Sequence, residues 1–136
     1  MKVSRVVVPI ALLSVTLTGC LSVPVAENAA QLTVDWQWSE KSGCTDVSPA
    51  ITVGNVPAAT KYLRIRMSDL DKPTFSHGGG EVAYTGDKMV PEGALNSYYG
   101  PCPPSGAHRY EFVVRALNAE KNLVLGEGKN MRRYPE

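Results

Sequence analysis

Alternation of apolar and polar residues recurs along this chain and predicts β-strands. Every second residue is apolar from 32 to 38, and the same alternation returns at 62–67 and, at the greatest length, at 108–117. A period of two places successive side chains on opposite faces of a strand. Shorter apolar runs predict further strands at 51–53, 81–84 and 123–125. No amphipathic helix or internal repeat is evident, so the fold class expected is mostly β, a two-sheet β-sandwich with few or no helices.

The loops between these strands are expected where turn-forming residues cluster. Residues 39–49 and 96–106 are dense in such residues, and Gly and Pro in the second segment are incompatible with a central strand. Gly78-Gly79-Gly80 is expected to be a loop that needs positive φ. The alternative, a backbone that a ligand approaches closely, has weaker support, because no helix follows as in a phosphate-binding loop.

In the two strands with the clearest alternation, the residues of core-facing parity, which are every second residue, end in polar side chains at one end of the core. Leu63, Ile65 and Met67 share the core-facing parity, which continues to Asp69 and Asp71. On the other strand the core-facing set runs back to a histidine: Ala116, Val114, Phe112, Tyr110 and His108. If the strands are antiparallel, Asp69 and His108 converge at the mouth of the core, the usual form of a small-ligand site. Taken singly, the acids could be turn residues and His108 a satisfied, partly buried histidine.

The first twenty residues have the character of an export signal. Lys2 and Arg5 precede an apolar stretch at 6–17, which is too short to span a bilayer as a stable helix. The sequence Leu17-Thr18-Gly19-Cys20 resembles the lipobox of bacterial lipoproteins, in which the cysteine is diacylated and becomes the N-terminus. An ordinary secretory signal with an incidental cysteine is the alternative. We therefore expect a signal peptide at 1–19, a lipidated tether at 20–31 and one β domain at 32–136.

The resemblance to a lipobox also implies a location. Two or three acyl chains on Cys20 form a stable membrane anchor, whereas a single chain holds weakly. Leu21 follows the cysteine, and no Asp stands there. In a Gram-negative host this implies the outer membrane, with the domain facing the periplasm, and in any bacterium the cell envelope.

Charge and composition exclude several classes of protein. The chain has 14 Lys and Arg against 13 Asp and Glu, and removal of Lys2 and Arg5 leaves it close to neutral. Near-neutrality argues against a nucleic-acid partner. With only two histidines the chain lacks zinc-ligand spacings, so no metal and no cofactor is expected. Cys44 and Cys102 remain once Cys20 is acylated, and an oxidising compartment favours a disulfide between them over two free thiols.

One segment carries a resemblance to a known family. Residues 100–112, Gly-Pro-Cys-Pro-Pro-Ser-Gly-Ala-His-Arg-Tyr-Glu-Phe, resemble the signature of the phosphatidylethanolamine-binding protein family, the Raf-kinase-inhibitor-like family, in its bacterial branch. Weaker matches stand at Ser48-Pro49, Asp69-Leu70-Asp71-Lys72-Pro73 and Pro91-Glu92-Gly93. The resemblance implies a β-sandwich with a small cavity for phosphate-like anions and phospholipid headgroups. Carried over by position, the ligand-binding residues are these: Asp69, Asp71, His77, Gly100, Pro101, His108 and Tyr110.

The chain departs from the family at one wall of that cavity. The family has a His-Trp or a His pair where this chain has Ser76-His77-Gly78. His77 supplies an imidazole, but the bulky neighbour is missing, so the cavity is expected to be more open or altered in preference. A Leu also replaces Pro between the two acids, at Leu70.

Two functions follow as competing expectations. The first is a lipid-anchored, non-catalytic envelope protein that binds a small anion or a phospholipid headgroup. The second is an envelope structural or protein-interaction module, inhibitor-like as some relatives are, with a vestigial pocket and an unidentified protein partner. A hydrolase is disfavoured, because no Gly-x-Ser-x-Gly elbow and no nucleophile beside a base is apparent.

Overall fold

The computed structural model describes residues 22–136, and within that range the chain folds into two β-sheets without a helix. The predicted signal peptide and Cys20 lie outside the described residues. Nine strands follow in chain order: β1 Val25–Gln31, β2 Thr33–Trp36, β3 Ile51–Gly54, β4 Tyr62–Asp69, β5 Ser76–Ala83, β6 Met89–Val90, β7 Ser97–Tyr98, β8 His108–Leu117 and β9 Val124–Tyr134. None of the described residues belongs to a helix that could span a membrane.

A large sheet and a small sheet make up the architecture. The large sheet has the order β1-β9-β8-β4-β5-β7, and the small sheet has the order β2-β3-β6. The central pairs β4–β8 and β8–β9 are antiparallel, whereas β1 lies parallel to β9 at the edge. The mostly β, two-sheet fold expected from the alternation is confirmed.

The core lies between the sheets and consists of the residues that the alternation marked as inward. Leu63, Ile65 and Met67 of β4 are buried, as are Tyr110 and Phe112 of β8. The small sheet and the residue just before it, Leu32, contribute the other half of this core: Leu32, Val34, Trp36, Ile51, Val53 and Val90. Burial of this apolar surface is the main favourable contribution to folding, at about 25 cal/mol per Å².

The structure corrects the predicted boundaries at both ends of the domain. The tether was predicted at 20–31 on composition, but residues 25–31 form β1. Their side chains do not alternate, and the strand forms because their backbone pairs with β9. The last strand spans Val124–Tyr134 rather than 123–125, and with 11 residues it is longer than β8, which was expected to be the longest. Its polar second half stays in the sheet through pairing with β8 along its whole length.

The three glycines at 78–80 belong to β5 and do not form the expected loop. The strand continues because Gly79 and Gly80 pair with Arg66 and Ile65 of β4, while Gly78 pairs with Tyr98 of β7. The expectation of positive φ is confirmed at two of them, since Gly78 has φ 64° and Gly79 has φ 147°.

Candidate functional site

A cavity of about 270 Å³ opens where β4 ends and β8 begins. Its lining combines four polar side chains with aromatic and proline surfaces. The residues are Asp69, Lys72, Phe75, His77, Tyr99, Cys102, Pro103, Pro104, His108 and Tyr110. The described residues contain no group of His, Cys, Asp or Glu that could hold a metal ion.

Asp69 and His108 meet at this cavity, as the strand parity predicts. Antiparallel pairing of β4 with β8 sets Asp69 opposite Tyr110, two residues from His108. The Nδ1–H of His108 donates to Oδ2 of Asp69 across 2.7 Å. The other carboxylate oxygen of Asp69 accepts from the amides of Asp71 and Lys72 at 2.8 and 3.0 Å. Because Asp69 occupies Nδ1, the Nε2 atom of His108 is the atom left for a ligand.

His77 reaches the same cavity because of an irregularity in β5. In the β4–β5 ladder Arg66 pairs with Gly79 and Ser68 pairs with Ser76, so β5 carries one extra residue between these pairs. An extra residue reverses the alternation beyond it, and glycine in the left-handed region is a usual residue for such a bulge. The bulge at Gly78 therefore turns His77 inward, where it is only 3% exposed. Without it His77 would lie on the outer face with Arg66.

A backbone carbonyl fixes the orientation of His77. The imidazole Nδ1 lies 2.7 Å from the carbonyl oxygen of Tyr99, which can only accept, so Nδ1 carries the proton and donates. The one side-chain hydrogen bond that His77 makes with residues 22–136 uses Nδ1, so Nε2 is left for another group. Both histidines are thus held by Nδ1, and each keeps Nε2 for another group.

Tyr110 stands between the two histidines. Its ring centroid lies 5.3 Å from that of His77 and 6.3 Å from that of His108. Burial, together with the charge of Asp69, raises the pKa of Tyr110 to about 12, so its hydroxyl keeps its proton at neutral pH. That hydroxyl is buried and makes no hydrogen bond of normal geometry within the described part of the chain, although the Asp69 carboxylate and the Cys102 backbone lie close to it. An unsatisfied buried hydroxyl costs about 1–3 kcal/mol, so it is a candidate donor to a ligand oxygen.

Three residues of the predicted set do not line the cavity. Asp71 lies outside it because its carboxylate pairs with Arg109, accepting from Nη2 at 2.8 Å and from the backbone amide at 2.7 Å. Gly100 and Pro101 are buried behind the wall, where the Gly100 amide donates to the Thr45 carbonyl at 2.6 Å. These two residues position the loop that carries the wall.

The Cys44–Cys102 disulfide, expected from the sequence, is present in the structure. Beside it the Cys44 amide donates to the carbonyl of Pro101 at 2.9 Å. Cys102 itself lines the cavity. The cross-link therefore joins the wall of the cavity to the loop after β2.

Sequence reasoning missed three residues that line the cavity. Phe75 and Tyr99 pack beside His77, with the Phe75 ring centroid 4.7 Å from His77 and 5.8 Å from Tyr99. Both rings line the cavity together with His77. Lys72 adds the only basic ammonium of the lining. All three lie in irregular segments outside the strands, where the alternation of apolar and polar residues makes no prediction.

A wider depression lies beside the small sheet and lacks this chemistry. It measures about 570 Å³, and its lining from Asp35 to Glu92 includes no histidine and no tyrosine. We therefore regard the smaller cavity at Asp69 and His108 as the candidate site.

Protonation of the Asp69 carboxylate is expected to lower the free energy of unfolding at acidic pH. Burial alone would raise the pKa of Asp69, but the hydrogen bond from His108 and those from two backbone amides outweigh it, and the net pKa lies below its ordinary value of 3.8. A lowered folded-state pKa stabilises the fold above the unfolded value, and this contribution disappears as pH falls through the folded value. We expect the free energy of unfolding to decrease below about pH 4, and to decrease less steeply in Asp69→Asn.

Urea denaturation at a series of pH values measures this slope. The matched control is Asp46→Asn, which alters an exposed carboxylate without a hydrogen-bond partner in the described chain. Parallel slopes for Asp69→Asn and wild type would show that Asp69 makes no stabilising bond as a carboxylate.

The fold and this cavity define a β-sandwich with a small cavity that combines a few polar side chains with a mostly apolar lining, where β4 ends and β8 begins. The family model for phosphatidylethanolamine-binding protein matches residues 80–134. A UPF0098 protein of Methanothermobacter thermautotrophicus is 30% identical over 104 residues, covering 62% of this chain and 69% of that protein. A UPF0098 protein of Chlamydia pneumoniae is 33% identical over 106 residues, covering 64% of this chain and 68% of that protein. The chain belongs to the phosphatidylethanolamine-binding protein family.

Solved structures show the same fold. A homolog of phosphatidylethanolamine-binding protein from Chlamydia trachomatis superposes with a TM-score of 0.62 at 22% identity, covering 80% of this chain and 99% of that one. YbcL of E. coli, described as a new member of the mammalian family, superposes with a TM-score of 0.56 at 20% identity. The match covers 76% of this chain and 96% of YbcL.

Proposed function

We propose that this protein is a lipid-anchored, non-catalytic envelope protein whose cavity binds a small anion of the phosphate or phospholipid-headgroup class. The observation that carries the proposal is the arrangement of His77, His108 and Tyr110. Each histidine is fixed through Nδ1, and the tyrosine hydroxyl between them is a proton donor without a well-aligned partner among the described residues. A phosphate oxygen can accept from that hydroxyl and from the Nε2–H of an imidazolium, and a hydrogenphosphate can donate to the Nε2 lone pair of a neutral imidazole.

The remaining polar groups of the lining match a zwitterionic headgroup. Lys72 adds positive charge for the anion, and the Asp69 carboxylate can accept from an ammonium group. The apolar surfaces of Pro103 and Pro104 suit the short methylene link between the two charges of such a headgroup.

A binding role is favoured over catalysis by the partners of the two histidines. Their Nδ1 atoms are held by the Asp69 carboxylate and the Tyr99 carbonyl, and neither imidazole bonds to a Ser, Thr or Cys side chain within residues 22–136. A nucleophile needs such a contact with its base. Ester hydrolysis that depends on His108 would contradict the non-catalytic assignment.

A protein-interaction module is the second candidate, and the rim of the cavity favours it. Phe75 is 47% and Tyr99 is 41% exposed, although both are large apolar side chains. Exposed aromatic residues at a pocket rim are typical of protein contacts. In that case Phe75→Ala and Tyr99→Ala would weaken partner binding, whereas His108→Ala would leave it intact.

The proposed binding is tested by thermal denaturation with and without ligands. Inorganic phosphate, phosphoethanolamine and phosphocholine are added separately to wild type and to His108→Ala. A ligand at about 100 times its Kd stabilises the folded state by about 2.7 kcal/mol, and we expect the melting temperature to rise accordingly in wild type alone. Loss of the His108 imidazole, whose Nε2 is the atom left for a ligand, is the reason for the missing shift in the variant.

Lys88→Ala is the control variant for this measurement, since Lys88 is exposed and lies outside the lining of the cavity. It is expected to respond to ligands like wild type. A well-folded wild-type protein with no shift for any of these ligands would contradict the pocket and favour the interaction module.

The lipid anchor belongs to the same proposal and rests on the lipobox-like sequence ending at Cys20. In a Gram-negative host the protein is placed at the outer membrane and faces the periplasm. The intact mass of the protein purified from membranes tests this: it should match a chain that starts at Cys20 and carries acyl groups.

A further inference from the structure

Three arginines surround a depression on the outer face of the large sheet, on the side of β4 and β8 away from the core. This depression measures about 500 Å³ and is lined by residues of three segments: Ser22, Val23, Arg64, Arg66, Ser68, Val113 and Arg115. Its lining includes no acidic side chain. A shallower depression of about 220 Å³ on the same face shares Arg64 and Arg66 and has Gly78–Gly80 along its floor.

Two of these arginines are paired across neighbouring strands, where their like charges repel. Arg64 and Arg115 lie directly opposite each other in the β4–β8 ladder, and like charges in that position are destabilising. Glu81 and Glu127 neutralise these two from the neighbouring strands. Arg66, which is exposed, makes no ion pair and no side-chain hydrogen bond with any residue from 22 to 136. One guanidinium at the centre of the face is therefore available to an external anion.

The start of the described chain lies in this depression. The carbonyl of Pro24 accepts from the amide of Val124 at 2.9 Å, so the chain is fixed to the sheet from Pro24 onward. Ser22 and Val23 themselves line the depression. Cys20 is two residues before Ser22, and two peptide units reach at most about 7.6 Å. An acyl group on Cys20, as proposed above, would be tethered to Ser22 by this short length of chain.

We propose that the outer face around Arg64, Arg66 and Arg115 is the membrane-contacting surface of this protein and docks on anionic phospholipid headgroups. The inference rests on the lipid anchor at Cys20 that the proposed function includes. Because β1 begins at Val25, little chain separates the domain from an acyl group on Cys20, and the face beside the anchor meets the bilayer first. Acyl chains and a basic patch are the two signals that together give stable membrane attachment.

Chemical modification of arginines tests this surface. The full chain is produced in a Gram-negative host, purified, and placed on vesicles of phosphatidylcholine alone or mixed with phosphatidylglycerol. Phenylglyoxal labelling is then read for each arginine by mass spectrometry. Contact with anionic headgroups is worth about 1 kcal/mol for each arginine, so Arg66 should react on the order of fivefold more slowly on the mixed vesicles. Added salt should remove the difference.

Two charge-reversal variants provide the comparison. Arg115 lines the same depression and is also expected to react more slowly on mixed vesicles. Arg66→Glu is expected to abolish this slower labelling of Arg115. Lys88→Glu makes the same charge change at an exposed residue before β6 of the small sheet, and it is expected to keep the slower labelling of Arg115.

The outcomes separate this surface from the anchor. A mass without acyl groups would refute the anchor, while the comparison of the two vesicle types still reports on the surface. Equal labelling of Arg66 on both vesicles, or loss of protection in Lys88→Glu as well, would overturn the membrane surface. Protection by soluble polyglutamate but not by phosphatidylglycerol would also overturn it, and would assign the face to an acidic protein.

Discussion

Replacement of both Cys44 and Cys102 by serine is expected to lower the free energy of unfolding by about 4 kcal/mol. The two cysteines are 58 residues apart, and a cross-link over that separation removes much of the conformational freedom of the unfolded chain. For a domain of this size we expect the melting temperature to fall by roughly 15 °C. Because Cys102 belongs to the cavity wall, the variant should also respond less to ligands.

Wild-type protein in a reducing agent is the matched control for this prediction. It should melt at the temperature of the double serine variant, and the reducing agent should not affect the variant. A double variant that melts within a few degrees of oxidised wild type would show that the two loops hold each other without the cross-link.

Gly78→Ala is expected to destabilise the protein by about 3 kcal/mol and to weaken ligand binding at the cavity. An alanine at φ 64° costs about 1 kcal/mol on conformation alone. Its Cβ would also collide with the backbone carbonyl of Ser97 on β7, which cannot move without breaking the pairing of β5 with β7. Overpacking of this kind adds about 2 kcal/mol. Because the bulge turns His77 inward, its distortion should displace that imidazole.

Gly106→Ala separates the two causes. Gly106 has φ 67°, but nothing lies within 4 Å of the Cβ that an alanine would add there. This control should cost only the conformational part, about 1 kcal/mol. Urea denaturation of the two variants measures the difference, and equal losses would mean that the contact with Ser97 contributes nothing.

The strands of the core could be predicted from the sequence because their side chains are buried on one face only. Alternation at 62–67 and 108–117 predicted both strands and the side chains that face the core. Continued past the apolar residues, the same alternation placed Asp69 beside His108, and the 2.7 Å hydrogen bond between them confirms this. A strand without alternation, such as β1, has no such signal. It is held by backbone pairing at the sheet edge, and its sequence resembles that of a linker.

The site was less predictable than the fold, and the reason lies in the bulge. Simple alternation along β5 places His77 on the outer face, and only the register against β4 shows that an extra residue turns it inward. Asp71 shares the parity of Asp69, but the strand ends at Asp69, so parity no longer applies to it. Phe75 and Tyr99 come together from two separate irregular segments, and no local pattern brings such segments into contact.

The most direct test of the anion pocket is an NMR titration of the two imidazole rings. The chain contains only His77 and His108, so the ring carbon–proton spectrum of untagged protein should show two assignable sets of signals. Phosphoethanolamine is expected to shift both sets along one saturable curve, because both imidazoles line the same cavity. In His108→Ala the shift of His77 should be lost or greatly weakened. If neither ring responds, or if both drift without saturation as they would with ionic strength, the cavity is not an anion site and the account of the function is wrong.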